Sequence, residues 1–299
     1  MKILFTITLF FLVYFLHAQA SGDIYIVDIH RTDSGIVFNN LQNVTQHKGY
    51  DNQPCFSSDN KYIYFTSMRS DSTADIYRYD IMKKQTKNLS NTPLTSEFSP
   101  KEMPGGKYIS VVMVEKDGKT QRLWKMKKRG GTLSIINKEL DSVGYYQWKD
   151  ENHLTAFILG KNDIHTLRKV QLPKSKKDTL SEFVMDDSVG RCFYHWTVFQ
   201  RKDPWVYTTY FSKSGNKVVS ATGNHTAFEI NAPGKGEDFV FDGFNIWMAD
   251  GNRLTQFNYT SPKNWIQLKG FDFPKIKGIT RLAISPDGKK LAFVAEDGE

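Results

Sequence analysis

Short stretches of alternating apolar and polar residues recur along the chain, usually in pairs joined by a polar turn. In the clearest pair, the turn Ser57-Ser58-Asp59-Asn60 leads into Lys61-Tyr62-Ile63-Tyr64-Phe65. Alternation with a period of two indicates β-strands with two unlike faces, and Asn, Asp and Ser favour tight turns. Helical signal is scarce, and the weak pattern from Asp178 to Ser188 is interpreted as a connection. The pattern predicts an all-β chain.

The strand pairs return at a constant distance. The turn residues Asn60, Gly106 and Asn152 are each separated by 46 residues, and a last copy runs from Ile284 to Phe293. A third-strand motif, Asp75-Ile76-Tyr77-Arg78-Tyr79-Asp80, follows the first pair. A period of about 40–50 residues with several strands per unit is typical of β-propeller blades. We therefore expect a propeller of four-stranded blades.

Counting the units predicts six blades, of which one is shared by the two ends of the chain. The whole blades are expected near 46–92, 93–139, 140–186, 187–232 and 233–275, and the closing blade joins 276–299 to 21–45. A ring closed in this way has few exposed sheet edges. Between about 190 and 275 the register stays open. Phe239-Val240-Phe241 with Ile246-Trp247 fits a first and second strand, but Asn245-Ile246-Trp247 also fits a third strand, which would change the blade count.

The best copies of the repeat resemble a known family. Phe56 to Phe65 with Asp75 to Asp80, and Ile284 to Phe293, resemble the TolB-like propeller repeat (a PD40 or WD40-like repeat). Ser67-Met68-Arg69 also fits the small-x-Arg segment of that family. The resemblance implies a six-bladed propeller, a location in the bacterial envelope and protein–protein contacts. TolB has an α/β domain before its propeller, whereas these repeats begin within a few residues of Ser21, so we expect no such domain here.

The first twenty residues have the pattern of a secretory signal peptide. Met1-Lys2 is positive, Ile3 to Leu16 is an almost unbroken apolar run, and Ala18-Gln19-Ala20 is a small-x-small cleavage site. The run is shorter than the roughly 20 apolar residues that span a bilayer. No cysteine follows it, so a lipid anchor is not indicated. We expect residues 1–20 to be removed and residues 21–299 to form one propeller in the periplasm or outside the cell.

Export makes disulfides permissible, but the blade positions of the two cysteines argue against a bond. Cys55 lies in the first strand of one blade, and Cys192 lies in or beside the first strand of a blade on the opposite side of the ring. A disulfide needs Cα atoms within about 7 Å. We therefore expect two buried thiols.

Motifs of common enzymes are missing from the sequence. It contains neither Gly-x-Ser-x-Gly nor His-Glu-x-x-His, and its histidines lack the close spacing of a metal pair. We expect no cofactor and no metal. The first hypothesis is an exported, non-catalytic scaffold that binds a protein or peptide partner at one face of the ring. The alternative is a glycan-binding or glycan-active propeller whose site is assembled from several blades.

Candidate binding residues are expected where the loops that connect successive blades meet around the channel mouth. Pooled loops at one end of a scaffold are a usual place for binding, and Tyr, Trp and Arg dominate binding hot spots. The candidates are His47, Tyr50, Arg69, Tyr145, Tyr146, Arg191 and His195.

Basic charge is concentrated in two blades. The chain has a formal net charge of +8, and residues 116–177 contain 15 basic and 6 acidic residues. The patch Lys125, Lys127, Lys128 and Arg129 is expected on an outer hairpin. It suits an acidic protein or an anionic glycan, although lysines also keep exposed strand edges from pairing. Export argues against nucleic acid as the partner, no later segment is apolar enough to span a membrane, and we expect a monomer.

Overall fold

The computed structural model of the protein describes residues 22–69, 73–161, 165–175, 178–189, 196–198, 206–212, 215–222, 225–234, 238–242, 244–258 and 264–297. These residues form β-strands, turns and loops and contain no α-helix. The all-β expectation is confirmed.

The strands, numbered along the chain, are β1 (Asp23–Thr32), β2 (Gly35–Asn43), β3 (Tyr50–Phe56), β4 (Tyr62–Met68), β5 (Asp75–Asp80), β6 (Gln85–Asn88), β7 (Ser96–Glu102), β8 (Tyr108–Val114), β9 (Gln121–Lys127), β10 (Ser134–Ile135), β11 (Val143–Trp148), β12 (His153–Ile158), β13 (His165–Gln171), β14 (Ser181–Val189), β15 (Trp196–Val198), β16 (Val206–Ser212), β17 (Gly215–Thr222), β18 (His225–Asn231), β19 (Phe239–Phe241), β20 (Asn245–Asp250), β21 (Arg253–Asn258), β22 (Ile266–Gln267), β23 (Ile276–Ile284) and β24 (Lys290–Asp297).

Every sheet among the described residues is four-stranded and antiparallel. Five of them, here blades 1 to 5, are built from consecutive strands: β3–β6, β7–β10, β11–β14, β15–β18 and β19–β22. A further sheet, the closing blade, has the order β2-β1-β24-β23 and takes strands from both ends of the described chain. The expected total of six is reached only when this shared sheet is counted with the five consecutive ones.

The structure decides the register that the sequence left open. Phe239 pairs with Met248 and Phe241 with Ile246, so these segments are the first and second strands of blade 5. The segment from Asp178 to Ser188, interpreted above as a connection, instead contributes the outermost strand of blade 3 through β14.

The first strands form the inner wall of the ring. β3 contacts β23 and β7, and β19 contacts both β15 and β23. The second strands lie between neighbouring blades and are buried on both faces, as shown by Ile63, Tyr64 and Phe65, which are all fully buried. Burial of both faces explains why these strands contain runs of apolar residues instead of strict alternation.

Candidate functional site

The antiparallel order gives the ring two distinct faces. The loops that join successive blades, and those that join second to third strands, lie at one end, which we call the mouth face. The turns within the first and last hairpins of each blade lie at the opposite end, the turn face. His47 precedes β3, Tyr50 opens β3, and Arg69 follows β4 directly, so all three lie on the mouth face.

The Asp-Ile-Tyr motif holds the loop that carries His47. Asp23, the first residue of β1, accepts hydrogen bonds from Asn43 Nδ2 at 2.6 Å, Thr45 Oγ1 at 2.7 Å and the His47 backbone N–H at 3.2 Å. A carboxylate with three donors is a stable anchor for an exposed loop. The motif therefore fixes the route by which the chain enters β3.

The same arrangement recurs in blade 1. Asp75 accepts hydrogen bonds from Asn88 Nδ2 at 2.7 Å, Ser90 Oγ at 2.8 Å and the Thr92 backbone N–H at 2.9 Å. The repeated motif thus has a structural role, because it ties the third strand of a sheet to the outgoing loop.

Asp51 lies beside Arg69 and was not among the residues that the sequence pointed to. Its side chain is completely buried, and its Oδ1 lies 3.9 Å from Arg69 Nη2. Burial raises the pKa of the Asp51 carboxyl, while nearby Ser67, Arg69 and His47 lower it. The sequence signal for Asp51 was an acidic residue near the start of an inner strand. Glu97 of β7 occupies the equivalent position and is equally buried.

The equivalence of Asp51 and Glu97 comes from a repeated bulge. Gln53 and Ser99 each lie two residues after the acid, have φ values of 56° and 52°, and mark an irregularity in the strand pairing. Gln53 Oε1 also accepts a hydrogen bond from the Ser99 backbone N–H at 2.7 Å, which connects the two inner strands. The bulges direct both acids into the structure at the mouth end of their blades.

Arg69 is held from two sides. Its Nε donates a hydrogen bond to Ser67 Oγ at 3.0 Å, and its guanidinium lies 4.6 Å from the centroid of the Tyr77 ring. A cation over an aromatic face is attracted by the ring quadrupole. These contacts keep the Arg69 guanidinium beside Asp51.

Tyr50 connects this cluster with other blades. Burial raises the pKa of the Tyr50 phenol, the charge of Arg281 lowers it, and Tyr145 raises it further. Arg281 lies on β23 and Tyr145 on β11, so side chains from three blades influence one hydroxyl group. Tyr50 and Tyr145, both named from the sequence, are thus near enough for one to influence the pKa of the other, and Arg281 was not named from the sequence.

A second carboxyl group is influenced by Arg281. Asp238, directly before β19, accepts hydrogen bonds from the backbone N–H groups of Leu282 and Phe239, both at 2.9 Å. Burial raises the pKa of Asp238, and Arg281 is the strongest influence that lowers it. The mouth face thus contains two carboxylate–guanidinium neighbourhoods, Asp51 with Arg69 and Asp238 with Arg281.

The remaining mouth candidates are placed differently. Tyr146 is buried between blades 2 and 3, where its hydroxyl contacts Ser99 O at 3.1 Å and Ser110 Oγ at 2.8 Å, so it packs the interior instead of lining the mouth. Arg191 and His195 lie outside the described residues. Cys192 also lies outside the described residues. Burial raises the pKa of the Cys55 thiol.

The basic patch lies on the turn face, opposite the mouth cluster. Lys127 and Arg129 are exposed at the hairpin after β9. Lys128 Nζ forms an ion pair with Glu102 Oε2 at 3.0 Å, and Lys125 Nζ lies 5.1 Å from the Tyr108 ring centroid. Two of the four basic groups are therefore engaged within the protein, and the outward charge comes mainly from Lys127 and Arg129.

Within the part of the chain that the structure describes, no three His, Cys, Asp or Glu side chains come together as a metal site would require. The same residues include no helix with the length and apolar character needed to cross a membrane.

Comparisons with known proteins show the fold. No family model matches the chain, and no curated protein matches it. The solved structure of a putative TolB from Agrobacterium tumefaciens has a TM-score of 0.66 at 16% identity, covering 92% of this chain and 99% of that one. TolB from Acinetobacter baumannii has a TM-score of 0.57 at 13% identity, covering 93% of this chain and 65% of that one.

Enzymes share the same architecture. An oligogalacturonate lyase from Vibrio parahaemolyticus has a TM-score of 0.50 at 10% identity, covering 93% of this chain and 98% of that one. At such identities the likeness is one of fold, and fold does not imply function. The chain is thus a β-propeller with TolB-like structural neighbours.

Proposed function

We propose that this protein is an exported, non-catalytic β-propeller that binds a segment of a protein or peptide partner in the cell envelope through its mouth face. One observation carries the proposal: Tyr50, Asp51 and Arg69 of blade 1 lie at the same end of the ring as Tyr145 and Arg281 of other blades, which are near enough to shift the pKa of Tyr50. Aromatic and guanidinium groups gathered at pooled loops suit the anchoring of a partner. The TolB-like neighbours are consistent with a scaffold.

The proposal includes the finer expectations for the whole chain. Residues 1–20 act as a cleaved signal peptide, and residues 21–299 act as one ring in which the five consecutive blades and the closing blade together make six. The protein works as a monomer, with no cofactor and no metal. The basic patch offers a second, electrostatic contact to an acidic surface on the turn face.

Glycan binding is less well supported by the mouth geometry. Arg69 and Arg281 are the cations that would attract an anionic sugar, but each lies near a carboxyl group whose pKa it lowers, Asp51 and Asp238 respectively. An anionic sugar would therefore compete with a carboxyl group of the protein for each guanidinium. An oligogalacturonate that bound the protein and protected Lys48 from acylation would favour the glycan alternative.

Site-specific photo-crosslinking tests the proposal. One variant carries p-benzoylphenylalanine in place of Lys48, which is exposed on the mouth face, and the matched control carries it in place of Met82, which is 93% exposed on the turn face. Irradiation in an envelope extract of the source organism should give a discrete protein adduct at position 48 and not at position 82. Adducts at position 82 alone, or at neither position, would contradict partner binding at the mouth.

A further inference from the structure

Four polar atoms on the mouth face are buried close to one another. They are His47 Nδ1, both carboxylate oxygens of Asp51 and Arg69 Nη2, and none makes a hydrogen bond of ordinary geometry with the described residues. Ser67 is close enough to lower the pKa of the Asp51 carboxyl, and its Oγ accepts a hydrogen bond from Arg69 Nε. Buried polar groups in proteins are nearly always hydrogen-bonded, so such a group of exceptions calls for an explanation. The separation of 3.9 Å between Asp51 Oδ1 and Arg69 Nη2 is too long for a direct hydrogen bond.

Surrounding contacts hold this set in position. Arg69 Nε is bound to Ser67 and its guanidinium lies over Tyr77, while Asp23 holds the backbone of His47. Gly49 has a φ of +139°, and a Cβ there would lie 2.9 Å from Met68 O and 3.5 Å from His47 Nδ1. The absence of a side chain at this position lets the loop lie against β4 and fixes the imidazole beside it.

The charges in the set select for a neutral group. The Asp51 carboxylate accepts hydrogen bonds and the Arg69 guanidinium donates them, so the pair is balanced. The neighbouring acid, Asp23, is already bound by three donors. A carboxylate would be repelled by Asp51 and an ammonium by Arg69, whereas a group with both a donor and an acceptor satisfies both.

We propose that the buried set of His47, Asp51 and Arg69 binds a primary carboxamide, whose N–H on the carbonyl side is donated to Asp51 and whose carbonyl accepts from Arg69 Nη2. The carboxamide is the side chain of Asn or Gln, because the N–H and C=O of a trans main-chain amide point in opposite directions and cannot both reach groups 3.9 Å apart. This inference rests on the proposed function and names the chemistry by which the mouth recognises a peptide segment.

An NMR titration of the full chain tests the inference by following the His47 ring and the Arg69 Nε–H. The probes are N-acetylglycine N-methylamide for the main-chain amide, acetamide for the carboxamide, and sodium acetate and methylammonium chloride as charged comparisons at matched ionic strength. Acetamide should give saturable shifts, whereas the main-chain probe and the two ions should not. Saturation by the main-chain probe but not by acetamide would contradict the carboxamide geometry.

Two variants should change the selectivity in opposite directions. Asp51→Asn leaves the Arg69 charge unopposed, so amide affinity should fall by at least about fivefold and acetate should begin to bind. Arg69→Gln should likewise weaken amide binding but favour methylammonium. A purely structural role for these residues would not change which ion binds. Lys48→Gln, an exposed change in the same loop, is the control and should bind as the unaltered protein does.

The inference is overturned if acetamide does not saturate, if the ions bind as well as acetamide, or if both variants bind acetamide as the unaltered protein does. In the first case the set holds water only. Should Asp51→Asn fail to fold, the partly exposed Arg69→Gln variant carries the test. Crosslinking from position 48 that persists unchanged in Arg69→Gln defeats the inference but leaves the proposed function standing, whereas no crosslinking in the unaltered background defeats the proposed function itself.

Discussion

Tyr25 and Phe293 stack with their ring centroids 5.5 Å apart and lie opposite each other where β1 pairs with β24. This contact joins the beginning of the described chain to its end. The closing blade depends on it, because two of its four strands come from each terminus. Deletion of residues 21–45 should therefore unfold the protein, which far-UV circular dichroism and the thermal midpoint would report. A shortened protein with an unchanged midpoint would contradict closure by shared strands.

Tyr146 is expected to stabilise the contact between blades 2 and 3 through its hydroxyl. Tyr146→Phe removes the contacts with Ser99 O and Ser110 Oγ and leaves both groups buried. We expect a loss of about 1–3 kcal/mol in the free energy of unfolding, measured by urea denaturation. Tyr108→Phe, on a residue at the surface, should change it little. If both substitutions change the free energy of unfolding equally, the buried Tyr146 hydroxyl does not stabilise the contact between blades 2 and 3.

Asp75 is expected to stabilise the structure through the motif that it shares with Asp23. Asp75→Ala removes an acceptor for Asn88, Ser90 and the Thr92 backbone. The free energy of unfolding should fall by about 2–4 kcal/mol, since charge-assisted hydrogen bonds are lost and donors are left unpaired. The exposed Asp33→Ala is the control. A midpoint in urea as high as that of the control would show that the loop does not need this anchor.

The stability effect of Asp51 should depend on pH. Burial raises its folded-state pKa above the unfolded value of about 4. An acid with a raised pKa stabilises the fold most below the unfolded pKa, and that contribution is lost as the pH rises through the folded pKa. Asp51→Asn should therefore be more stable than the unaltered protein at pH 7, and the difference should vanish near pH 3.5.

Asp59 is the matched control of opposite sign. Desolvation raises its pKa, but hydrogen bonds from Ser57 Oγ and the Lys61 backbone outweigh it and lower the pKa overall. Asp59→Asn should therefore be destabilising at pH 7 and neutral at low pH. If both variants shift the urea midpoint in the same direction at pH 7, burial is not what governs the pKa of Asp51.

The basic patch should contribute to partner capture through long-range charge. The double substitution Lys127→Glu with Arg129→Glu reverses the two exposed charges and should weaken capture of an acidic partner in a pull-down at low salt, with less effect at high salt because of screening. Lys83→Glu with Lys84→Glu reverses two charges on the equivalent hairpin of blade 1 and is the control. If Lys127→Glu with Arg129→Glu leaves capture unaltered, the basic patch takes no part in binding the partner.

The pattern of the sequence was enough to predict strands, blades and the shared closing sheet, because each depends on local rules. The 46-residue spacing of Asn60, Gly106 and Asn152 follows from turns that need particular residues, and alternation follows from the pleat of a strand. The open register near Asn245 could not be settled in this way, since short apolar strands look alike until their partners are known.

The mouth cluster was only partly accessible from the sequence. Loop position placed His47, Tyr50 and Arg69 at one end of the ring, as the structure does. Tyr146 was misplaced because adjacent strand residues point to opposite faces, and the sequence does not say which of Tyr145 and Tyr146 turns inward.

The sequence by itself determined that this chain forms antiparallel blades whose linking loops share one end of a ring. Only the tertiary structure decided that a bulge at Gln53 buries Asp51, and that Arg69 lies 3.9 Å away without closing a direct hydrogen bond. The physical reason is that strand formation depends on neighbours in sequence, whereas burial and charge pairing depend on groups that the fold brings together from distant positions.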